Sequence, residues 1–171
     1  FILLAFMGRQ VGIEAALYYA LAYVLMSVAA FGVLMALSDE SFECENISDL
    51  AGLNQRNAWY AFIMLLVMFS MAGIPPLMGF YAKLVVIKAL LSQGYIWVAV
   101  FAVVMSLIGA FYYLRVVKSM YFDNTEHTDR PISGTFFAKI LLSVNALLLL
   151  VWGVFPESVM QWVKTAVTNV F

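Results

Sequence analysis

Residues 70–83 read Ser-Met-Ala-Gly-Ile-Pro-Pro-Leu-Met-Gly-Phe-Tyr-Ala-Lys, and apolar residues continue on both sides of this stretch. Pro75 and Pro76 must interrupt a helix, because proline lacks the N–H that the helical hydrogen-bond ladder requires. Lys83 follows about two turns later. A charged amine at membrane depth costs roughly 3 kcal/mol and usually marks an ion or proton path. An interrupted helix beside a buried charge is how membrane folds build a polar site.

The composition predicts a protein whose solvent is lipid. Hydrophobic residues make up 65% of the chain and charged residues only 11%, whereas a soluble domain carries about 25% charged residues. The polar residues are too few to cover an exterior that faces water. The net charge is −1 and the basic residues are scattered, which argues against nucleic acid as a partner. We therefore expect the lipid bilayer as a partner.

Several chemistries are excluded by the rarity of their ligands. Cys44 is the single cysteine and His127 the single histidine, so the chain cannot form an internal disulfide, a zinc knuckle or a four-cysteine iron–sulfur site. It also lacks a GxGxxG fingerprint and a Walker lysine loop. We expect no metal, no redox cofactor and no catalytic residue in this chain.

Hydropathy predicts an all-α, polytopic transmembrane bundle, because a spanning helix needs about 20 mostly apolar residues. The predicted spans are 14–37, 58–72, 77–92, 95–121 and 135–155, followed by an amphipathic tail over 157–171 that suits a helix lying in the interface. The second and third spans are short, so they are either two tilted spans or the halves of a broken helix. Because the chain starts without Met and without a signal peptide, we expect residues 1–171 to be the C-terminal part of one transmembrane domain.

The distribution of Lys and Arg predicts an orientation. If there are five spans, most cations fall on one side, which should be cytoplasmic: Arg9, Arg115, Lys118, Arg130 and Lys139. Arg56 and Lys164 fall on the other side. The acidic loop 38–56 and the C-terminal tail would then face the periplasm.

Lys83 is the leading candidate for a functional residue. A lysine in a hydrated interior can exchange a proton and switch its charge, which a permanently charged arginine cannot do. Gly79, one turn earlier, leaves room for water or a neighbouring helix. The alternative is snorkelling, in which the amine reaches the lipid headgroups.

Secondary candidates are weaker. Lys88 is more simply explained by snorkelling, and Glu14 by its favourable position at a helix N-terminus. The residues expected to shape the helix break are Gly73, Pro75, Pro76 and Gly79.

Four segments resemble the antiporter-like membrane subunits of respiratory complex I, the NADH-quinone oxidoreductase. Residues 70–83 resemble the family's S-x-A-G-I-P-P-x-x-G-F-x-x-K stretch. The others are Asp49-Leu50-Ala51-Gly52-Leu53 with Arg56-Asn57, Tyr18-Tyr19-Ala20-Leu21-Ala22-Tyr23 with Ala30-Phe31-Gly32, and Tyr112-Tyr113-Leu114-Arg115-Val116-Val117 with Met120-Tyr121. They occur in the family's order and cover most of residues 14–122. Lysine at position 83, together with the Tyr-Tyr-Leu-Arg-Val motif, favours one of these antiporter-like subunits over the others. One sister subunit carries glutamate at the position that matches Lys83.

The resemblance implies two inverted repeats of helices with a discontinuous helix in each, of which this chain holds the second repeat. It implies that Lys83 matches the family's proton-pathway lysine of that repeat. It also implies that NADH, FMN, iron–sulfur clusters and quinone belong to partner subunits, that other membrane subunits are partners, and that the location is the bacterial inner membrane.

Three functions remain open from the sequence. The leading hypothesis is a proton-translocating subunit that couples quinone reduction to proton pumping through Lys83. The alternatives are a subunit of a multisubunit cation/proton antiporter, driven by an ion gradient, and a structural membrane subunit whose lysine snorkels.

Overall fold

The computed structural model describes residues 1–38, 43–124 and 135–170, and within those ranges the regular structure is helical, with no strand. The α-helices are α1 (Ile2–Ala5), α2 (Arg9–Leu37), α3 (Leu53–Arg56), α4 (Ala58–Ala72), α5 (Met78–Ser92), α6 (Ile96–Phe122), α7 (Phe136–Val154) and α8 (Pro156–Val170). Short 3-10 turns occupy Phe6–Gly8 and Ile47–Leu50. The all-α prediction is confirmed.

The chain breaks between α4 and α5, as the prolines predict. Gly73 ends α4 in the left-handed conformation, with φ 87°, and its N–H donates to the carbonyls of Phe69 and Ser70. A side chain is strained in that conformation, so glycine is the fitting residue. Pro75 and Pro76 then form an exposed turn, joined by a cis peptide bond.

Contacts with α7 fix the direction of α4. Near the start of α4, the ring of Tyr60 lies 5.9 Å from the amine of Lys139, which is near the start of α7. At the other end of α7, Gly153 packs directly against the backbone of Pro76 and Leu77. The two helices therefore run in the same direction.

Contacts with α2 fix the direction of α5. Gly8, just before α2, packs against Ala89 near the end of α5, and Gly32 near the end of α2 packs against Leu142 near the start of α7. The end of α5 therefore lies at the level where α2 begins. Since α4 begins at the level where α2 ends, α4 and α5 follow one another in the same direction.

The two short helices thus share one path through the bundle. Each has 15 residues, or about 22 Å of axis, whereas α2 has 29 residues and about 43 Å, at 1.5 Å per residue. The helices long and apolar enough to cross a membrane in one piece, within the described ranges, are Gln10–Leu37, Ile96–Phe122 and Phe136–Val154. We infer that α4 and α5 make a single discontinuous crossing, rather than the two crossings assumed in the orientation prediction.

The orientation prediction needs a corresponding correction. In the structure, the N–H of Gly52 donates to the carbonyl of Ser119 over 3.1 Å, and the hydroxyl of Ser119 donates to the carbonyl of Ile47 over 3.3 Å. The loop between α2 and α4 therefore lies at the end of α6, on the same side as Lys118. The prediction had placed them on opposite sides, because it counted the broken helix twice.

The corrected topology still gives a Lys/Arg bias. One end of the bundle carries Arg56, Arg115, Lys118 and Lys139, and the other end carries Arg9, Lys88 and Lys164. The positive-inside rule then predicts that the first end is cytoplasmic, and this end includes the described acidic residues Glu43, Glu45 and Asp49. Asp39, Glu40, His127 and Arg130, which entered the sequence prediction, lie outside the described residues.

The amphipathic tail forms α8, and its apolar residues Val159, Met160, Val163 and Val167 are buried against the bundle. The ring of Trp162 meets that of Trp152 in α7 edge-on, with 6.1 Å between the ring centroids. The helix therefore docks on protein along its apolar stripe, and its polar face carries Glu157, Gln161 and Lys164.

Thiol labelling from one side of the membrane tests this topology. We expect Glu45→Cys and Lys118→Cys to react from one side and Gln93→Cys from the other. Cys44 should contribute little background, because it is buried and because burial, with the charge of Asp49 adding to it, raises the pKa of its thiol to about 11. Its thiolate is therefore scarce at neutral pH. If the chain crossed the membrane five times, Glu45→Cys and Gln93→Cys would instead react from the same side.

A pair of glycine substitutions tests the packing at the break. A Cβ on Gly79 would overlap the backbone carbonyl of Ser70, which cannot move away without disturbing α4. We expect Gly79→Ala to destabilise the protein by about 3 kcal/mol, at the upper end of overpacking effects. Gly109→Ala is the matched control, since nothing lies within 4 Å of its added Cβ. The temperature of half-aggregation in detergent should fall for the first variant only, and equal values for both would contradict this packing.

Candidate functional site

The amine of Lys83 lies at the helix break. Its Nζ donates to the carbonyl oxygens of Met71 and Ala72 and to the hydroxyl of Ser106, each over 2.9 Å. An ammonium group has three N–H donors, so these oxygens match its full capacity. The side chain is half-buried and turns back toward α4, inside the bundle, rather than along α5 toward the headgroups.

The carbonyls are available because α4 ends there. The last four carbonyls of a helix have no partner within the helix, and they carry the negative end of the helix dipole. Lys83 meets this end with its charge, which is the favourable arrangement for a cation. All three acceptors are neutral, so the positive charge is stabilised by dipoles and hydrogen bonds.

The glycines of the break shape this contact from both sides. A Cβ on Gly73 would lie 3.1 Å from Cδ and 3.2 Å from Nζ of Lys83, so glycine leaves space for the lysine stem. The N–H of Gly79 donates to the hydroxyl of Ser70 over 3.1 Å, and Ser70 is fully buried. Gly79 thereby holds the start of α5 close to the end of α4.

An inner cavity of about 20 Å³ adjoins the lysine. Lys83 and Gly79 line it together with three tyrosines, Tyr19 and Tyr23 from α2 and Tyr113 from α6. This volume holds about one water molecule, and the phenols and the amine can supply its hydrogen bonds. Gly79 was expected to leave room for water or for a neighbouring helix. In the structure it adjoins both the inner cavity and α4, which is consistent with that expectation.

Sequence reasoning did not assign a role to Ser106 or to these tyrosines. Ser106 carries a signal that could have been used, since it is a hydroxyl near the middle of the apolar α6. Tyr19 and Tyr23 are four residues apart, so they share a face of α2, and their rings stack with centroids 6.4 Å apart. Which helix they face could not be read from the sequence.

The secondary candidates Glu14 and Lys88 do not line the inner cavity. They line a separate outer cavity of about 270 Å³, together with Tyr81, Glu157 and Lys164. Pro75 and Pro76 are exposed and line neither cavity. Among the described residues there is no group of three or more His, Cys, Asp or Glu side chains that could hold a metal ion.

Comparisons with known proteins show the family of the chain. A sequence model of the family described as NADH:quinone oxidoreductase/Mrp antiporter, TM, matches residues 1–109. The NADH-quinone oxidoreductase subunit N of Neisseria gonorrhoeae is 66% identical over 99% of this chain and 35% of its own length. The protein of the same name from Nitrosomonas europaea is 55% identical, with the same two coverages. The chain therefore spans 35% of the length of these curated relatives.

Solved structures show the same fold. Respiratory complex I from Thermus thermophilus with bound aureothin contains a chain with a TM-score of 0.79 and 29% identity, covering 92% of this chain and 36% of that one. A chain of the Mrp complex from Dietzia sp. has a TM-score of 0.78 at 21% identity, covering 94% and 38%. The second likeness shows the fold alone.

These findings confirm the family that the sequence motifs indicated. The branch favoured by lysine at position 83 is subunit N, and both relatives described above carry that name. The described residues include three helices long enough to span a membrane, and the relatives are bacterial, so the chain is a multi-pass protein of the bacterial inner membrane. It belongs to the antiporter-like membrane family shared by NADH:quinone oxidoreductases and Mrp antiporters.

Proposed function

We propose that this chain is part of a proton-translocating membrane subunit of NADH-quinone oxidoreductase, and that Lys83 gains and loses a proton as quinone reduction drives pumping. The observation that carries this proposal is the position of the Lys83 amine, bonded to the free carbonyls of Met71 and Ala72 and to Ser106. Other membrane subunits are its partners, and NADH, FMN, iron–sulfur clusters and quinone are bound by partner subunits.

The hydrogen-bond partners suit both charge states of the lysine. A charged amine donates three hydrogen bonds, whereas a neutral amine donates two and has one lone pair. The two carbonyls can only accept, so they serve the two N–H groups that remain. The hydroxyl of Ser106 can reverse its role and donate to the lone pair. Ser106 is thus the partner that lets Lys83 lose a proton without leaving a buried polar group unpaired.

The energy of one proton step and the energy of one hydrogen bond to Lys83 are of similar size. Moving one proton against 100 mV requires about 2.3 kcal/mol. A hydrogen bond to a charged group contributes about 1.5–3 kcal/mol. Making or breaking a single contact of Lys83 therefore changes the stability of its charged form by about as much as one such proton step. The water that fits in the inner cavity would be the immediate proton acceptor.

The second candidate is a subunit of a multisubunit cation/proton antiporter. The fold of the Mrp complex chain from Dietzia sp. keeps this possibility open, but the identities of 66% and 55% belong to proteins named as NADH-quinone oxidoreductase subunits. Co-purification of flavin- and iron–sulfur-bearing subunits with the full-length protein would separate the two. A purely structural subunit is disfavoured because the Lys83 amine contacts protein oxygens at the break.

Replacement of Lys83 in the intact complex tests the proposal. We expect Lys83→Ala to lose most NADH-driven proton pumping in inverted membrane vesicles, because no group at the break can then change its charge. Lys83→Arg should not restore pumping, since arginine stays protonated. Lys118→Ala, at an exposed position near the end of α6, is the matched control and should pump normally. Unchanged pumping in Lys83→Ala would overturn the proposal.

Replacement of Ser106 tests the switching partner. Ser106→Ala removes a hydrogen bond worth about 1.5–3 kcal/mol to the charged lysine and leaves the neutral amine without a donor. We expect roughly a tenfold slower pumping step, at about 1.4 kcal/mol per tenfold change. Ser106→Thr keeps the hydroxyl and should retain most pumping. Equal rates for the alanine and threonine variants would show that the hydroxyl has no such role.

A further inference from the structure

An aromatic ring lies beside Lys83 in addition to its three hydrogen-bond partners. The Lys83 Nζ is over the ring of Phe1, 6.0 Å from the ring centroid. The face of an aromatic ring carries partial negative charge, so it attracts a cation. Phe1 precedes α1, in a segment that contributes neither the helix break nor Ser106. The ring is therefore a contact of the lysine charge that is independent of the break.

The ring of Phe1 is held in place by its own neighbours. It stacks on the ring of Tyr19, with centroids 5.5 Å apart and an interplanar angle of 6°, and Tyr19 stacks on Tyr23 in turn. The carbonyl of Phe1 accepts a hydrogen bond from the N–H of Ala5 over 3.0 Å, and Ala5 is fully buried. Phe1 itself is partly buried against the core. The ring therefore cannot turn its face away from Lys83 without breaking the stack.

The ring distinguishes the two charge states of Lys83, which its hydrogen-bond partners do not. The carbonyls of Met71 and Ala72 accept hydrogen bonds from either form, and the hydroxyl of Ser106 can reverse its role. A ring face attracts the ammonium group through its positive charge, and a neutral amine lacks that charge. The contact with Phe1 therefore favours the charged form over the neutral form.

The distance limits the size of this preference. Attraction between a cation and a ring face extends to about 6 Å from the ring centroid, so the 6.0 Å contact of Phe1 lies at the outer limit. The lower magnitude, that of exposed sites, is appropriate here, and it corresponds to roughly a two- to fivefold change in the ratio of charged to neutral lysine. This is less than a hydrogen bond to the ammonium contributes. Phe1 therefore adjusts the ratio without preventing the loss of the proton.

We propose that Phe1 is a positioning residue for Lys83, and that its ring face favours the charged lysine and so sets how readily the lysine gives up its proton. This inference rests on the proposed role of Lys83. No bond forms or breaks at the ring, which acts only through its electrostatic attraction for the ammonium group. The stacked rings of Tyr19 and Tyr23 belong to the same arrangement, because they hold the ring of Phe1 and also line the inner cavity beside the amine.

Fluorinated phenylalanines in place of Phe1, in the full-length subunit of the intact complex, test the proposal. Each added fluorine withdraws negative charge from the ring face and leaves the shape of the ring almost unchanged, so a role in packing alone would not respond. At a pH where both charge states of Lys83 are present, we expect the ratio of charged to neutral lysine to fall stepwise through mono-, di- and trifluorophenylalanine, by roughly two- to fivefold in all. The ratio is measured from the infrared ammonium band of ¹⁵N-lysine that is absent from Lys83→Gln.

Phe31 is the matched control for the fluorinated series. Its ring is exposed on α2, and its position is about 12 Å further along that helix than Tyr23. The same replacements at Phe31 should leave the ratio unchanged. A constant ratio across the series at Phe1 would overturn the proposal.

Removal of the ring separates this proposal from the proposed function. Phe1→Leu should lower the ratio of charged to neutral lysine by the same two- to fivefold, whereas Phe1→Tyr keeps the ring and should keep the ratio. Equal ratios for these two variants would contradict the role of the ring. If Lys83→Ala abolishes pumping while Phe1→Leu has the ratio of the unchanged complex, the role of Lys83 stands and the ring contributes nothing. If Lys83→Ala pumps normally, the proposed function itself fails, whatever the ratio in the Phe1 variants.

Discussion

The structure depends on one contact, the Lys83 ammonium against the free carbonyls at the end of α4. A continuous helix would use those carbonyls in its own hydrogen-bond ladder and would leave no acceptors for a buried cation. The break therefore creates the site, and the site in turn satisfies the carbonyls that the break exposes. A buried polar group without a partner is costly, so lysine and break stabilise each other. Gly73 and Gly79 allow the close approach, because larger side chains would collide with Lys83 or with Ser70.

Much of the fold could be predicted from local patterns in the sequence. Apolar runs and the tandem prolines place the helices and the interruption, because both signals act within one or two turns. The direction of α5 could not be predicted in this way. A turn at Gly73–Leu77 is compatible with a hairpin or with a broken helix, and only contacts between distant residues, such as Gly8 with Ala89, decide between them. The orientation error followed directly from this ambiguity.

The candidate site also has residues that could be predicted from the sequence and residues that could not. Lys83 stands out in the sequence because a charge in an apolar run is expensive. Its partners do not stand out, since Met71 and Ala72 contribute backbone carbonyls, which every residue has. Ser106 is 23 positions away on another helix. Glu14 and Lys88 have ordinary explanations as single residues, and their shared cavity with Glu157 depends on how α8 docks.

The central claim is that Lys83 changes its protonation state when quinone is reduced. Infrared difference spectroscopy on the intact complex, with ¹⁵N-lysine incorporated, measures this most directly. The account predicts an ammonium deformation band that changes on quinone reduction, shifts with ¹⁵N and is absent from the Lys83→Gln variant. Identical difference spectra for the unchanged complex and for Lys83→Gln would show that the protonation state of Lys83 does not change, and would contradict the account.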